Sequence, residues 1–233
     1  MQNDYDKVYE FHDIFGLSIC QNVNVMLLND KNRVSLRLNL MTEEYTEFVT
    51  AFRDENAIEM IDALADILYV VYGTFIAFGF KLNRFYEHII RDNMNSLSDI
   101  IKLKIPCEIY ISNMKKHLIN FVQLIEQKNL VGLCDLLNNM IIMTYTLANE
   151  DLNIDIHGAF DIVHKSNMTK ICQTEKEAIE TVQWYVKTND IRYDSPSYRT
   201  SSNDKYYIVF NKSTGKILKS VYYMPPDFST FIS

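Results

Sequence analysis

The chain has 233 residues, 48% of them hydrophobic, and a formal net charge of −7 at pH 7. That length can bury a sizeable core in one domain or two small ones. The negative balance argues against a nucleic-acid polymer as partner, because neutralising many phosphates takes a basic surface; a single nucleotide arriving with its own Mg²⁺ is compatible with it.

No stretch near the start combines a basic flank, an apolar run and a small-residue cleavage site, so no secretory leader is expected. Cys20, Cys107, Cys134 and Cys172 form no CxxC pair. They read as reduced thiols in a cytoplasmic setting, without a zinc site. The five histidines have no HExxH-type spacing and read as structural or merely exposed.

Along the chain, Asp4 to Phe15 reads as a first short helix ending near Gly16. Gln21 to Asn32 reads as a loop. From Arg33 to Asp54, Leu36, Leu40, Phe48, Val49 and Phe52 recur at helical spacing. Asp54, Glu55 and Asn56 mark a turn. A strongly apolar helix follows from Ala57 to about Phe78, with Gly79 as its C-cap. Its most apolar stretch, Ala63 to Phe80, carries Asp66 and is followed by Lys81. That pattern predicts a buried helix rather than a membrane span. Leu82 to Leu97 reads as a third helix.

The pattern then recurs. Asn56, Asp62, Leu64 and Tyr72 align without a gap to Asn129, Asp135, Leu137 and Tyr145; upstream, Phe48 and Val49 meet Phe121 and Val122. Downstream, after a shift of one residue, RDNMNSL (91–97) meets KSNMTKI (165–171). The expectation is a tandem, diverged helical unit, about Arg33 to Leu97 and then Ile109 to Ile171, packed as a pseudo-dimer. The tail differs. Lys205 to Phe210 and Lys216 to Tyr223 read as the strands of a β-hairpin around the turn Asn211 to Gly215, and Tyr193 to Asp204 reads as a linker. The expected organisation is an all-α domain over 1–190, then linker and hairpin over 191–233.

Residues three apart on a helix share a face, so Glu44 projects with Glu47, and Glu59 with Asp62, with Asp66 one turn on. If the two helices form an antiparallel hairpin, the pairs can converge. Four carboxylates close together repel unless a cation neutralises them, and hard oxygen donors select Mg²⁺ or Mn²⁺. An acidic, solvated helix face is the bland alternative. Asp62 and Asp66 sit in a helix that is apolar around most of its circumference, where acids are at least partly buried and burial without a partner is expensive.

The ExxE of Glu44 to Glu47 followed by the ExxD of Glu59 to Asp62 resembles the signature of the all-α nucleotide pyrophosphohydrolases. That superfamily includes MazG proteins, dimeric dUTPases, dCTP pyrophosphatases and phosphoribosyl-ATP pyrophosphohydrolases. RLNLMTEEYTEF, DALADILYVVYGT, VHKSNMTK, FHDIFGL and the YYIVFNKSTGKILKS…PPDF tail resemble its phosphoribosyl-ATP pyrophosphohydrolase-like branch, common in phages and large viruses. The resemblance covers most of the chain except about Ser96 to Asp155. It implies a MazG-like helical bundle in which Glu44, Glu47, Glu59 and Asp62 ligate Mg²⁺, with Mn²⁺ as a substitute. The metal would bind the triphosphate and polarise the α-phosphorus for attack by a carboxylate-activated water. Glu47 would orient that water, with Glu44 or Glu43 as alternatives. Asp66 would contact the nucleoside or support the ligands, and Asn167 and Lys170 of SNMTK would contact the substrate. Arg37 could meet phosphate as Lys170 does, although an arginine on a solvated helix face is the commoner reading.

The repeat departs from the family pattern. In the alignment Glu44 meets His117, Glu47 meets Asn120, Glu59 meets Gly132, and only Asp62 keeps an acid, Asp135; Ser96 meets Lys170. This suggests one composite site per chain. The leading expectation is a cytoplasmic enzyme that takes a (d)NTP to its monophosphate and pyrophosphate, with no membrane partner, assembling as a dimer of pseudo-dimers. Phosphoribosyl-ATP hydrolysis is the alternative substrate, and a non-catalytic helical nucleotide-binding or regulatory protein the alternative class.

Overall fold

The computed structural model describes residues 3–81 and 106–231. The third helix expected over Leu82 to Leu97 lies outside the described residues. The described helices are α1 (Asp4–Ile14), α2 (Lys31–Arg53), α3 (Ala57–Phe78), α4 (Cys107–Glu126), α5 (Leu130–Thr146), α6 (Ile156–Met168) and α7 (Glu175–Thr188); the strands are β1 (Pro196–Thr200) and β2 (Tyr207–Asn211). The chain divides into two compact units, Cys20–Phe160 and Met1–Ile19 with Asp161–Ser233.

In the Cys20–Phe160 unit, α2 starts where Asp30 accepts a hydrogen bond from the Arg33 amide at 3.1 Å. Its buried stripe is Arg37, Met41, Phe48 and Ala51. The hydroxyls of Thr42, Thr46 and Thr50 turn back onto carbonyls four residues earlier along the exposed side. Glu55, at φ 52°, reverses the chain, and Asn56 caps α3 by accepting from the Glu59 amide at 3.3 Å. α3 closes at Gly79, whose φ of 75° is left-handed. α2 and α3 are thus an antiparallel hairpin, as expected. Its register is fixed at the far end, where Arg33 Nη1 donates to the Ala77 carbonyl at 2.9 Å.

The second hairpin uses the same device. Lys128, at φ 55°, reverses the chain, and Asn129 caps α5 by accepting from the Gly132 amide at 2.9 Å. α4 packs along α2, and α5 along α3. Between them lie fully buried Met41 and Met114, Phe48 and Phe121, and Leu64 and Leu137. Tyr72 and Tyr145 meet through their hydroxyls at 3.2 Å, and Phe160 packs against Tyr72 and Tyr69. Among the described residues, two helical stretches, Ala57–Phe78 and Leu130–Asp151, are long and apolar enough to cross a membrane. The most apolar window of the first is 89% buried inside the fold, which is the environment of a core helix.

In the other unit, β1 and β2 pair antiparallel from Pro196↔Asn211 to Thr200↔Tyr207. The segment expected as a linker is therefore partly a strand. Pro196–Thr200 is polar and carries no β-branched run, so its sequence reads as loop. It is recruited because β2, with buried Ile208 and Val209, needs partners for its backbone groups. Proline at the first strand position removes no needed donor. The expected strand Lys216 to Tyr223 shrinks to Ile217, bridged to Phe210, and Leu218, whose amide reaches the Val209 carbonyl at 2.9 Å. Cys172, Ala178, Tyr185, Val209 and Leu218 form this unit's core. The free carbonyls ending α1 are met by β1 and the turn after it: Arg199 reaches the Phe15 carbonyl at 2.9 Å, and Ser202 bonds the Asp13 and Ile14 carbonyls.

Candidate active site

The turn at Glu55 sets which carboxylates stand level in the α2–α3 hairpin. Arg33 pairs with Ala77, and counting inward at about 1.5 Å of rise per residue puts Glu44 level with Asp66. The same count places Glu47 within one residue of Asp62, while Glu59 lies about 6 Å nearer the turn than Glu47. Glu44, Asp62 and Asp66 are half-buried, and Glu47 and Glu59 are exposed. The partial burial expected for Asp62 and Asp66 holds. Glu59 occupies the first turn of α3, where its charge also complements the exposed amides.

Among the described residues, no three histidine, cysteine, aspartate or glutamate side chains come close enough to hold a metal ion. The quartet is not a closed cage. Its donor chemistry, all carboxylate oxygen, still suits Mg²⁺, which keeps most of its waters and typically takes one or two protein carboxylates together with substrate phosphates.

Arg37 departs from the expected solvated face. It is 5% exposed, on the same stripe of α2 as Met41 and Phe48 and two turns before Glu44. Its Nε is sealed from solvent without a hydrogen-bond partner among the described residues. Burial, and then the Arg33 charge one turn earlier, hold its pKa down to about 10. A guanidinium interrupts the apolar periodicity, so the sequence pattern assigned it to the surface.

Asn167 and Lys170 lie in the other compact unit, at the end of α6. Asn167 is 5% exposed and Lys170 half-buried. The C-terminal tail docks on this SNMTK segment. Ser166 Oγ stands 2.8 Å from Tyr223 Oη and 2.7 Å from the Met224 carbonyl; the Met224 amide donates to Thr169 Oγ1 at 3.0 Å. Ser220 Oγ donates to the Thr169 carbonyl at 3.2 Å. Lys170 and Lys219 flank the Tyr223 ring, at 6.0 and 4.7 Å from its centroid. Sequence reasoning left the tail's role open; the alternation of serine, tyrosine and methionine over 220–224 carries no signal of what it would touch.

A family model described as phosphoribosyl-ATP pyrophosphohydrolase matches residues 8–93, the segment carrying all four carboxylates. The uncharacterized protein L479 of Acanthamoeba polyphaga mimivirus is 33% identical over 242 residues, covering 98% of this chain and 95% of that protein. No solved structure matches this chain. The helical hairpins, the ExxE and ExxD spacing and these matches agree, and the chain belongs to the phosphoribosyl-ATP pyrophosphohydrolase family, within the MazG-like all-α pyrophosphohydrolases.

Proposed function

We propose that this pyrophosphohydrolase is Mg²⁺-dependent and cleaves a (d)NTP to (d)NMP and pyrophosphate by attack of water on the α-phosphorus. The observation that carries the reading is the antiparallel α2–α3 hairpin, along which counting from the Arg33–Ala77 contact sets Glu47 level with Asp62 and Glu44 level with Asp66, with Glu59 nearer the turn. Acids so placed on two helices have a shared use in binding a cation that comes with the substrate's phosphates. Glu44, Glu47, Glu59 and Asp62 are the proposed ligand set, and bound Mg²⁺ supplies neutralisation of phosphate charge. Exposed Glu47 is the proposed residue for orienting water and accepting its proton, with the more enclosed Glu44 as the alternative. Asp66 is proposed to support Glu44 or contact the nucleoside. Asn167 and Lys170 are proposed substrate contacts on the strength of the SNMTK motif alone.

A duplication within the chain is part of this reading. The turns at Glu55 and Lys128, the caps Asn56 and Asn129, and the buried pairs Met41/Met114, Phe48/Phe121 and Leu64/Leu137 recur at one constant spacing. With His117, Asn120 and Gly132 standing where the first hairpin has Glu44, Glu47 and Glu59, one site per chain is expected. The family's name favours phosphoribosyl-ATP as a second candidate substrate. Pyrophosphate release with Mg²⁺ across a (d)NTP panel plus phosphoribosyl-ATP, beside Glu59→Ala, tests both. Release from one (d)NTP, lost in Glu59→Ala, supports the leading reading. Release from phosphoribosyl-ATP alone supports the second, and release from neither returns the chain to a binding role.

A further inference from the structure

Buried arginines are ordinarily paired, because removing a guanidinium from water without an anion or several acceptors is costly. Arg37 is 95% buried, its Nε has no acceptor among the described residues, and the neighbouring charge that lowers its pKa is that of another arginine, Arg33. Arg33 itself is held, donating to the Ala77 carbonyl at 2.9 Å and facing Asp30 at 3.5 Å. A neighbouring cation makes the Arg37 position worse for a structural arginine and better for an anion site.

The second hairpin supplies an internal contrast. At the position corresponding to Arg37 it has Tyr110, fully buried, whose hydroxyl meets Thr144 Oγ1 at 3.0 Å. Thr144 Oγ1 donates to the Met140 carbonyl, so it accepts from the tyrosine. The residue of α3 corresponding to Thr144 is Val71, which offers no acceptor. The hairpin lacking the carboxylates has closed this position with a self-satisfied pair. The hairpin bearing them keeps a buried guanidinium whose Nε has no hydrogen-bond partner among the described residues.

We propose that Arg37 is an oxyanion receptor, binding a phosphate group of the substrate about two helical turns from Glu44. The inference rests on the nucleotide reading above and names a residue for it. A planar fork of N–H donors suits a phosphate, and enclosure strengthens the contact. Because a buried guanidinium with an unsatisfied Nε is costly to the ligand-free fold, replacing it by an apolar side chain of similar length leaves that fold at least as stable.

The test uses the whole chain, Arg37→Met and Arg37→Lys, with inorganic pyrophosphate as probe and EDTA present so that no metal contributes. Wild type is expected to gain thermal stability as pyrophosphate is added, and Arg37→Met to lose that gain while its ligand-free Tm equals or exceeds the wild-type value. With Mg²⁺ and the nucleotide that wild type cleaves, Arg37→Met raises KM at least tenfold with kcat changed less than threefold, and Arg37→Lys restores part of the loss. An unchanged pyrophosphate response and KM in Arg37→Met overturns the proposal. So does a Tm that collapses in Arg37→Met, which would make the arginine structural. A wild type inactive on every nucleotide yet stabilised by pyrophosphate through Arg37 leaves this site standing and removes the enzymatic reading instead.

Discussion

The hydroxyls of Tyr72 and Tyr145 stand 3.2 Å apart in the core, each at the same distance along its helix from the asparagine that caps it. When an element meets a copy of itself across a two-fold axis, residues near the axis touch their own equivalents. The contact is what a fused pair of hairpins requires, and it gives the proposed duplication a measurable consequence. Tyr72→Phe and Tyr145→Phe should each cost about 1 kcal/mol. The double variant should cost less than the two together, with a coupling of roughly 0.5–1.5 kcal/mol in urea denaturation. Strict additivity would remove the hydrogen bond from the account.

Gly79 closes α3 at φ 75°, and a Cβ there would stand 2.6 Å from the carbonyl carbon and oxygen of Asn22. The obstacle is backbone, held in place where the Cys20 amide bonds the Ile76 carbonyl at 3.1 Å. Gly79→Ala therefore combines left-handed strain with a clash that no side-chain rotation relieves, and should destabilise by about 2 kcal/mol or more. Thermal or denaturant unfolding reads this directly.

His117, at the position corresponding to Glu44, has its pKa lowered from the ordinary 6.5 by burial. A histidine kept neutral in the fold adds stability above pH 6.5. That stability is lost as pH falls below this value, because the unfolded chain then takes the proton more readily. Denaturation midpoints should drop from pH 7 to pH 5.5, and His117→Gln should flatten that slope. A slope unchanged by the substitution assigns the acid sensitivity to other groups.

The tail depends on Ser166, whose hydroxyl lies between Tyr223 and the Met224 carbonyl. Ser166→Ala leaves a carbonyl without its side-chain donor and should cost about 1–2 kcal/mol. Hydrogen exchange over 220–224 should quicken while that of α3 stays unchanged.

Much of the hairpin was legible in the sequence because its limits are local chemistry: Asn56 caps, Glu55 turns, Gly79 stops. The acids followed from spacing, since a three-residue step keeps Glu44 with Glu47 and Glu59 with Asp62. Their levels across the hairpin needed the Arg33–Ala77 contact, which no pattern announces. Arg37 was misread because periodicity counts apolar residues and files every arginine as solvated. Its place four residues before Met41 and eleven before Phe48, on their stripe, was the available signal. Pro196–Thr200 was missed for a related reason: it becomes a strand through the demand of β2, not through its own composition.

Pyrophosphate release from the preferred nucleotide at saturating Mg²⁺, wild type against Asp62→Asn, tests the assigned site most directly. This near-isosteric change keeps the half-buried side chain of α3 and removes its charge. The expected result is a fall in kcat of about a hundredfold or more with the fold intact, the scale of losing a positioned catalytic or ligand group. An Asp62→Asn protein that releases pyrophosphate at the wild-type rate would contradict the assignment of the site to this hairpin.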